Sequence, residues 1–420
     1  MVLTTLSSWV TSFVPSSTEL TSIDPTHSAN LVASLSSAKS KFEVVTNTES
    51  LATFSAAIRG AQASLSAISY EEVIATATDD SVKASASKGL YNATVNLKEL
   101  EWELNQYGMY LKMAPNALYT ALFGLLFIFF LIITFWKRTW WFGIAMSCGC
   151  GLEFAGYISR ALSVHDLSNN DTFLAQIICL TIAPAFIMGA IYYLLGTLII
   201  LYGPKYSKLK PLWYSIIFVF CDVVSLIVQA VGGALASSND DNENGTHIMV
   251  AGIAFQIVSM SLFFFFWFWF LFEIYFNADR QITFSLKRLL QLFFNTKEGT
   301  ILHRQLDTSY TQAYHDIRAA RLFNFFPAVI TSSVVFVYVR CIYRVIELAQ
   351  GWRGFLITHE VYIMVLDAAM VFLACVLYVP FHPAYILGRA LDSKFNLSKN
   401  TFIEFEKCDT IDSMKIEDVL

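Results

Sequence analysis

Seven long apolar stretches alternate with short polar segments along most of this chain. They cover residues 115–136, 140–162, 172–200, 211–236, 248–274, 323–346 and 358–381. Each is long enough to cross roughly 30 Å of hydrocarbon as an α-helix, which needs about 20 largely apolar residues. The pattern predicts an all-α, polytopic membrane protein with seven transmembrane helices.

The regions outside these stretches differ from them in composition. Residues 1–112 are rich in Ser, Thr and Ala and carry weak helical patterns, which predicts a partly helical extracellular head. Its first forty residues are typical of disordered or O-glycosylated segments. Residues 113–387 form the predicted transmembrane domain, with a cytosolic loop at 275–322. Residues 388–420 form a predicted cytosolic tail.

The positions of Lys and Arg predict the orientation of the chain in the membrane. They concentrate in the loops after the first, third and fifth apolar stretches and in the tail, whereas the other loops are nearly free of them. Positively charged loops stay in the cytosol, so the N-terminus is expected outside and the C-terminus inside. The glycosylation sequons at Asn92, Asn170 and Asn244 all fall on the predicted outer side. Asn92 is the best acceptor because the other two lie close to the membrane, and a fourth sequon, at Asn396 in the tail, is expected to be unused.

The composition excludes several classes of protein. Hydrophobic residues make up 55% of the 420 residues and charged residues only 15%, whereas soluble domains carry about a quarter charged residues. The net charge of −5, with no basic block, argues against nucleic-acid binding. We find no phosphate-binding glycine loop, no zinc-ligand cluster and no nucleophile paired with a histidine base. The sequence therefore predicts a membrane protein that is not an enzyme and has no cofactor or metal.

Charged and polar side chains recur at helical spacing inside four of the predicted spans. They are Glu153, Tyr157 and Arg160 in the second span, Asp222 and Gln229 in the fourth, Arg340, Arg344 and Glu347 in the sixth, and Glu360 and Asp367 in the seventh. An ionised group inside a bilayer is costly and needs a partner or water. We therefore expect these side chains to converge on one polar cavity in the outer half of the bundle.

Carboxylates outnumber guanidinium groups in this set, which leaves two interpretations open. A surplus of acid would attract a cationic headgroup, whereas buried ion pairs often only fix the register of neighbouring helices. The residues predicted to contact a substrate are Glu153, Tyr157, Asp222, Gln229, Glu360 and Asp367. Those predicted to form structural ion pairs are Arg160, Arg340, Arg344 and Glu347.

Three further patterns give expectations about packing. Gly156, Gly232 and Gly233 are expected to allow close contact between helices. The aromatic run 263–270 is expected to face lipid. Residues 284–294 predict an amphipathic helix that lies on the inner leaflet or, as an alternative, docks a partner protein.

The charged stripes also resemble the motifs of a known family. Residues 153–160 (EFAGYISR), 222–233 (DVVSLIVQAVGG), 340–347 (RCIYRVIE) and 359–367, which begin HEVY and end at Asp367, are similar to signatures of the fungal lipid-translocating exporter family. This seven-span family is known for resistance to toxic amphiphiles. The resemblance covers residues from about 115 to 390 and leaves out the head.

Within that family, the long glycosylatable N-terminus resembles members that export sphingoid long-chain bases at the plasma membrane. The resemblance implies movement of phytosphingosine and dihydrosphingosine from the cytosolic to the extracytoplasmic leaflet. It also implies a role in lipid asymmetry and stress resistance, with membrane lipids as partners. Export of a sterol analogue or a porphyrin is an alternative, as is a seven-helix receptor that senses lipids and regulates other transporters.

Overall fold

The computed structural model of the protein describes residues 20–46, 48–236, 242–278, 285–320, 322–350 and 354–387. These residues are overwhelmingly helical, and none of them lies in a β-strand. The predicted tail and the start of the predicted head lie outside the described residues. The described chain divides into two compact units, the first of which ends at Tyr110 and also includes the loop Asp166–Asn170.

The first unit is built from three helices. They are α1 (Ser28–Val44), α2 (Thr48–Thr76) and α3 (Asp80–Glu103). Helix α2 packs against both neighbours, and Ala67 of α2 and Ala93 of α3 belong to the core between these two helices. Helix α3 begins where the Asp79 carboxylate accepts a hydrogen bond from the Ser81 amide at 3.0 Å. The expectation of disorder is wrong from Ser28 onward, because this segment is helical.

The second unit is a helical bundle. Its long helices are α4 (Met113–Lys137), α5 (Trp140–Leu162), α6 (Asn170–Tyr202), α7 (Pro211–Ala236) and α8 (Asn242–Phe272). Three short helices follow, α9 (Leu286–Phe293), α10 (Lys297–Asp307) and α11 (His315–Arg318), and then α12 (Phe326–Ala349). The last helical segment consists of α13 (Glu360–Tyr362), a π-helical turn (Ile363–Ala368) and α14 (Ala369–Val376), and α15 (Pro383–Ile386) ends the described chain.

Five helices of the described chain are long and apolar enough to cross a membrane. They are α4, α6, α7, α8 and α12. The second predicted span, α5, is less apolar because it contains Gly, Ser and Glu153. The seventh predicted span is divided into short pieces by the π-turn. Both nevertheless pack into the bundle, since α5 lies against α4, and α14 lies against α4 and α12.

Helix α6 occupies the centre of the bundle. It is apolar on all faces and buries residues along its whole length, as a helix surrounded by other helices must. A Cβ atom at Gly149 or Gly156 of α5 would lie 2.6 Å from a side chain of α6, so these glycines set the close approach of the two helices. On the other side, the Tyr192 ring of α6 packs against Phe218 of α7 and Phe263 of α8.

Helices α7 and α8 cross closely at one of the predicted glycines. A Cβ atom at Gly232 would lie 2.4 Å from the Met249 backbone nitrogen, whereas one at Gly233 would meet only the Met249 sulfur, at 4.0 Å. The expectation of close helix contact is therefore confirmed for Gly156 and Gly232 and wrong for Gly233.

The aromatic run in α8 does not simply face lipid. Phe263, Trp267 and Phe270 are fully buried, and the Trp267 indole donates to the Thr331 hydroxyl of α12 at 2.9 Å. Phe265 and Phe268 are exposed, so the run covers both faces of the helix. The expectation is wrong for the buried residues because their spacing of three to four positions places them on the face that packs against α6 and α12.

The predicted amphipathic helix corresponds to α9. Leu286, Leu290 and Phe294 are exposed along one side, but Leu292 is fully buried in the core of the second unit. Helix α9 is therefore anchored to its own chain through α10 and the start of α12.

We expect Gly232→Ala to destabilise the protein and its neighbour Gly233→Ala to leave stability nearly unchanged. The added methyl group at residue 232 collides with backbone, and overpacking of this kind costs about 1–3 kcal/mol. At residue 233 it comes to an ordinary van der Waals distance of 4.0 Å from the Met249 sulfur. Thermal unfolding of the two purified variants in detergent measures the difference, and equal melting temperatures would contradict the close crossing.

Candidate functional site

The last helical segment places its two acids in different surroundings. Asp367 lies in the π-turn Ile363–Ala368, and Glu360 lies before this turn. In a π-turn each backbone N–H bonds to the carbonyl five residues earlier, whereas in an α-helix it bonds to the carbonyl four residues earlier. Asp367 meets two arginines of α12, whereas Glu360 meets the start of α4. In a regular helix two acids seven residues apart would lie on one face, and the structure differs because the π-turn changes their angular spacing.

Four charged side chains form an ion-paired cluster, which we define as Arg340, Arg344, Glu347 and Asp367. The Asp367 carboxylate accepts hydrogen bonds from Arg340 Nε and from Arg344 Nη2. Arg344 Nη1 also donates to Glu347 at 3.1 Å, and the Tyr343 hydroxyl donates to the other oxygen of Glu347. Charged groups buried in this way are tolerated only when they are paired. In this cluster Asp367 and Glu347 are bound by the protein itself.

A proline explains how Arg340 is held. Pro184 in α6 has no N–H, so the carbonyl of Leu180, four residues earlier, loses the donor that a regular helix would supply. Arg340 Nη2 donates a hydrogen bond to this carbonyl. The guanidinium of Arg340 therefore joins Asp367 to the Leu180 carbonyl of α6, which has no donor within its own helix.

Glu360 binds at the N-terminus of α4. Its carboxylate accepts from the Lys112 backbone amide at 3.1 Å and from Asn116 Nδ2 at 2.8 Å, and Arg160 Nη2 of α5 lies 4.0 Å away. The first amides of a helix favour an anion, so this carboxylate is held by backbone, amide and guanidinium together.

Glu153 and Tyr157 lie one turn apart on α5 and are both buried. Glu153 Oε1 and the Tyr157 hydroxyl have no hydrogen-bond partner among the described residues. Glu153 lies within electrostatic range of Arg340, Arg344 and Asp367, and the Tyr157 ring stacks on Phe123 with 5.7 Å between ring centroids. Buried polar atoms are almost always hydrogen-bonded. An unpaired carboxyl oxygen beside an unpaired hydroxyl therefore marks a place where a ligand can bind.

Asp222 is the second carboxylate outside the ion pairs. It is 3% exposed, and Tyr192 of α6 shares a hydrogen bond with it, whereas its Oδ2 atom has no partner within the described chain. The Cys341 thiol interacts electrostatically with both Asp222 and Arg340, which places Asp222 near the ion-paired cluster.

Gln229 is turned toward α8. Its Nε2 donates to Ser225 at 2.8 Å and to Gln256 of α8 at 3.2 Å. The stripe Asp222, Ser225 and Gln229 is buried throughout, but Gln229 joins α7 to α8, and its hydrogen bonds within the described part of the chain go to Ser225 and Gln256.

Several contributors to the site escaped the sequence analysis. Asn116 and the Lys112 amide bind Glu360, Tyr192 binds Asp222, and the Leu180 carbonyl binds Arg340. Of these contacts, only that of the Leu180 carbonyl could have been anticipated from the sequence, because a proline inside a span leaves the carbonyl four residues before it without a donor.

The five acids of the site fall into two groups, those with a guanidinium partner among the described residues and those without one. Of the five acids, Asp367, Glu347 and Glu360 lie within 4.0 Å of a guanidinium group, whereas the structure shows no ion pair for Glu153 or Asp222 within the described ranges. The described residues also contain no group of His, Cys and carboxylate side chains that could hold a metal ion. The arrangement suits recognition of a cation and of hydroxyl groups.

We expect substitutions at Pro184 and Arg340 to be coupled. Arg340→Gln leaves the Leu180 carbonyl without a donor and Asp367 with Arg344 as its remaining partner, and breaking a buried pair costs about 3–5 kcal/mol. Adding Pro184→Ala restores a helix donor to that carbonyl and should recover about 1 kcal/mol. Unfolding of both single variants and the double variant in detergent gives the coupling energy. Pro327→Ala, at the start of α12 where no helix hydrogen bond is missing, is the control and should add independently.

Comparison with known proteins places these motifs in a family. Residues 146–390, which include all ten charged and polar residues singled out from the sequence, match the family described as "RTA1 like protein". The chain is 38% identical over 317 residues to the sphingoid long-chain base transporter RSB1 of Saccharomyces cerevisiae, covering 70% of this chain and 80% of that protein.

More distant relatives come from the same yeast. Protein RTM1 is 27% identical over 237 residues, and protoporphyrin uptake protein 1 is 29% identical over 231 residues. These matches cover 56% and 55% of this chain and 65% of each relative. No solved structure matches the chain. The extent of the family match and the identity to RSB1, a named transporter, both show that the chain belongs to the RTA1-like protein family.

Proposed function

We propose that this protein moves sphingoid long-chain bases, such as phytosphingosine and dihydrosphingosine, from the cytosolic to the extracytoplasmic leaflet. It does so as a seven-span protein of the plasma membrane with its N-terminus outside. In this proposal, export lowers the load of toxic amphiphile and contributes to lipid asymmetry. The name of the relative RSB1 supports the substrate class.

One observation carries the proposal. Glu153 and Asp222 are buried carboxylates outside the ion pairs of the site, and the unpaired Tyr157 hydroxyl lies one turn from Glu153. A sphingoid base presents an ammonium group beside hydroxyl groups on a long alkyl chain. Its ammonium complements a carboxylate, and its hydroxyls complement Tyr157 and the free carboxyl oxygens, so the headgroup supplies the hydrogen bonds that the protein lacks.

The other acids have a supporting role in this mechanism. The ion-paired cluster and the Glu360 contacts hold α4, α5, α6, α12 and the last helical segment in register around Glu153. The two acids outside the ion pairs are then Glu153 and Asp222. Glu360, Asp367 and Gln229, although predicted to contact substrate, act here by positioning helices.

The charge of the site also favours sphingoid bases over porphyrins as the substrate class. A porphyrin carries propionate carboxylates, which unpaired buried acids would repel. The surplus acids therefore favour a cationic amphiphile over the substrate class named for protoporphyrin uptake protein 1.

We expect Glu153→Gln and Asp222→Asn to slow transfer of a fluorescent phytosphingosine between leaflets by about tenfold or more. Each change removes one charge-assisted interaction with the ammonium, which is worth about 1.5–3 kcal/mol. Leaflet exchange in proteoliposomes, followed by quenching of the outer-leaflet probe, measures this. Cys221→Ser, next to Asp222 in the chain, is the matched control and should transfer at the unchanged rate.

A second substrate, which lacks the ammonium group, tests whether that group is what the site recognises. A fluorescent N-acetylated sphingoid base has the same chain and hydroxyls but no ammonium, so the unchanged protein should transfer it far more slowly. Glu153→Gln should reduce this preference. Exchange of phytosphingosine at the rate of empty vesicles would rule out direct transport and leave a lipid-sensing regulator as the remaining interpretation.

The orientation is tested by glycosylation. Asn92 is exposed on α3, and we expect Asn92→Gln to remove most of the mobility shift that an N-glycosidase produces on protein expressed in yeast. Asn170 and Asn244 are also exposed and are secondary candidates. Asn396→Gln should change nothing, and loss of the shift in that variant alone would reverse the proposed topology.

A further inference from the structure

A cavity of about 730 Å³ lies outside the charged site, among α10, α11 and the last turn of α6. Its walls include Lys297, Thr300, Arg304, Asp307, Tyr310 and Arg318. This volume falls within the range of about 300–1,000 Å³ that is typical of small-molecule sites. None of its lining residues belongs to the transport site proposed above.

Arg318 is the buried charge of this cavity. The residue is 5% exposed, and it donates from Nε to Asp307 at 2.6 Å and from Nη1 to the carbonyls of Leu201 and Thr311 at 2.7 and 2.8 Å. Its Nη2 has no acceptor within the described residues. A buried charged donor is costly when it is left unsatisfied, so the fixed guanidinium marks a position for an acceptor.

The remaining charges of the wall also favour an anion. Asp307, the acidic member, is already bound by Arg318 and His315. Lys297 and Arg304 are exposed at the cavity and leave the wall with a positive excess. Burial lowers the pKa of His303, and its Nε2–H donates to the Leu292 carbonyl at 3.1 Å.

The local backbone adds to this positive potential. Helix α10 begins at Lys297, and Lys297 and Thr300 of its first turn line the cavity together with Asn295, which precedes the helix. A helix N-terminus carries partial positive charge and unpaired amides, which favour a bound anion.

We propose that this cavity binds a phosphate-bearing group, with Arg318 as the buried anchor and Lys297 and Arg304 as the outer contacts. The N–H groups of Arg318 Nη2 can donate to a phosphate oxygen, and a hydrogen bond between two charged groups is stronger than one between neutral groups. The phosphate comes either from an anionic phospholipid headgroup or from a soluble molecule. The exposed Leu286 and Leu290 of neighbouring α9 suit a membrane surface beside the cavity.

Binding to the purified full chain tests this directly and needs no transport measurement. One arm records the melting temperature with increasing inorganic phosphate against sodium chloride of equal ionic strength. The other compares nanodiscs of phosphatidylcholine alone with nanodiscs that also contain phosphatidic acid. A ligand that binds only the folded state raises the melting temperature. Stabilisation by phosphate identifies a soluble source, and stabilisation by phosphatidic acid alone identifies a lipid headgroup.

Variants separate the cavity from general attraction of anions. The double variant Lys297→Gln with Arg304→Gln changes exposed side chains and should weaken the apparent affinity about tenfold or more. Lys287→Gln, an exposed lysine of α9 outside the cavity wall, should leave the affinity unchanged. No stabilisation in either arm, or equal weakening by Lys287→Gln, would overturn the proposal. Because no sphingoid base is used, this outcome is independent of the transport test.

Discussion

The bundle depends on a guanidinium group that is shared between two helices. Arg340 of α12 binds Asp367 of the last helical segment and the Leu180 carbonyl of α6, and that carbonyl is available only because Pro184 lacks an N–H. A charge inside a bilayer must be paired, so this contact ties the central helix to its neighbours. The pairing of Arg340 and Arg344 with Asp367 leaves Glu153 outside the ion pairs, and the proposed recognition of a cation follows from that imbalance.

The long spans and the polar stripes could be read from the sequence because both depend on local composition and periodicity. Helices α4, α6, α7, α8 and α12 agree with the predicted stretches, and the predicted ion pairs of Arg340 and Arg344 form. Gly232 was found for the same reason, since a small residue on a buried stripe is a local signal.

The remaining features depend on contacts between distant segments. The binding of Glu360 by Asn116 and the Lys112 amide joins residues nearly 250 positions apart, and no periodicity reports such a pairing. The π-turn before α14 changes which way Asp367 points, although its composition is that of an ordinary apolar helix. The direction of Gln229 toward Gln256 likewise depends on how α7 and α8 cross.

The π-turn also limits how this segment can vary in length. In a regular α-helix, at about 100° per residue, the seven positions from Glu360 to Asp367 would span nearly two whole turns and both acids would lie on one face. The wider π-turn takes up one extra residue, so Asp367 meets α12 while Glu360 meets α4. A change of length in this short stretch must therefore keep the wide turn or remove it together with its extra residue, even though its apolar side chains could be exchanged for others of similar volume.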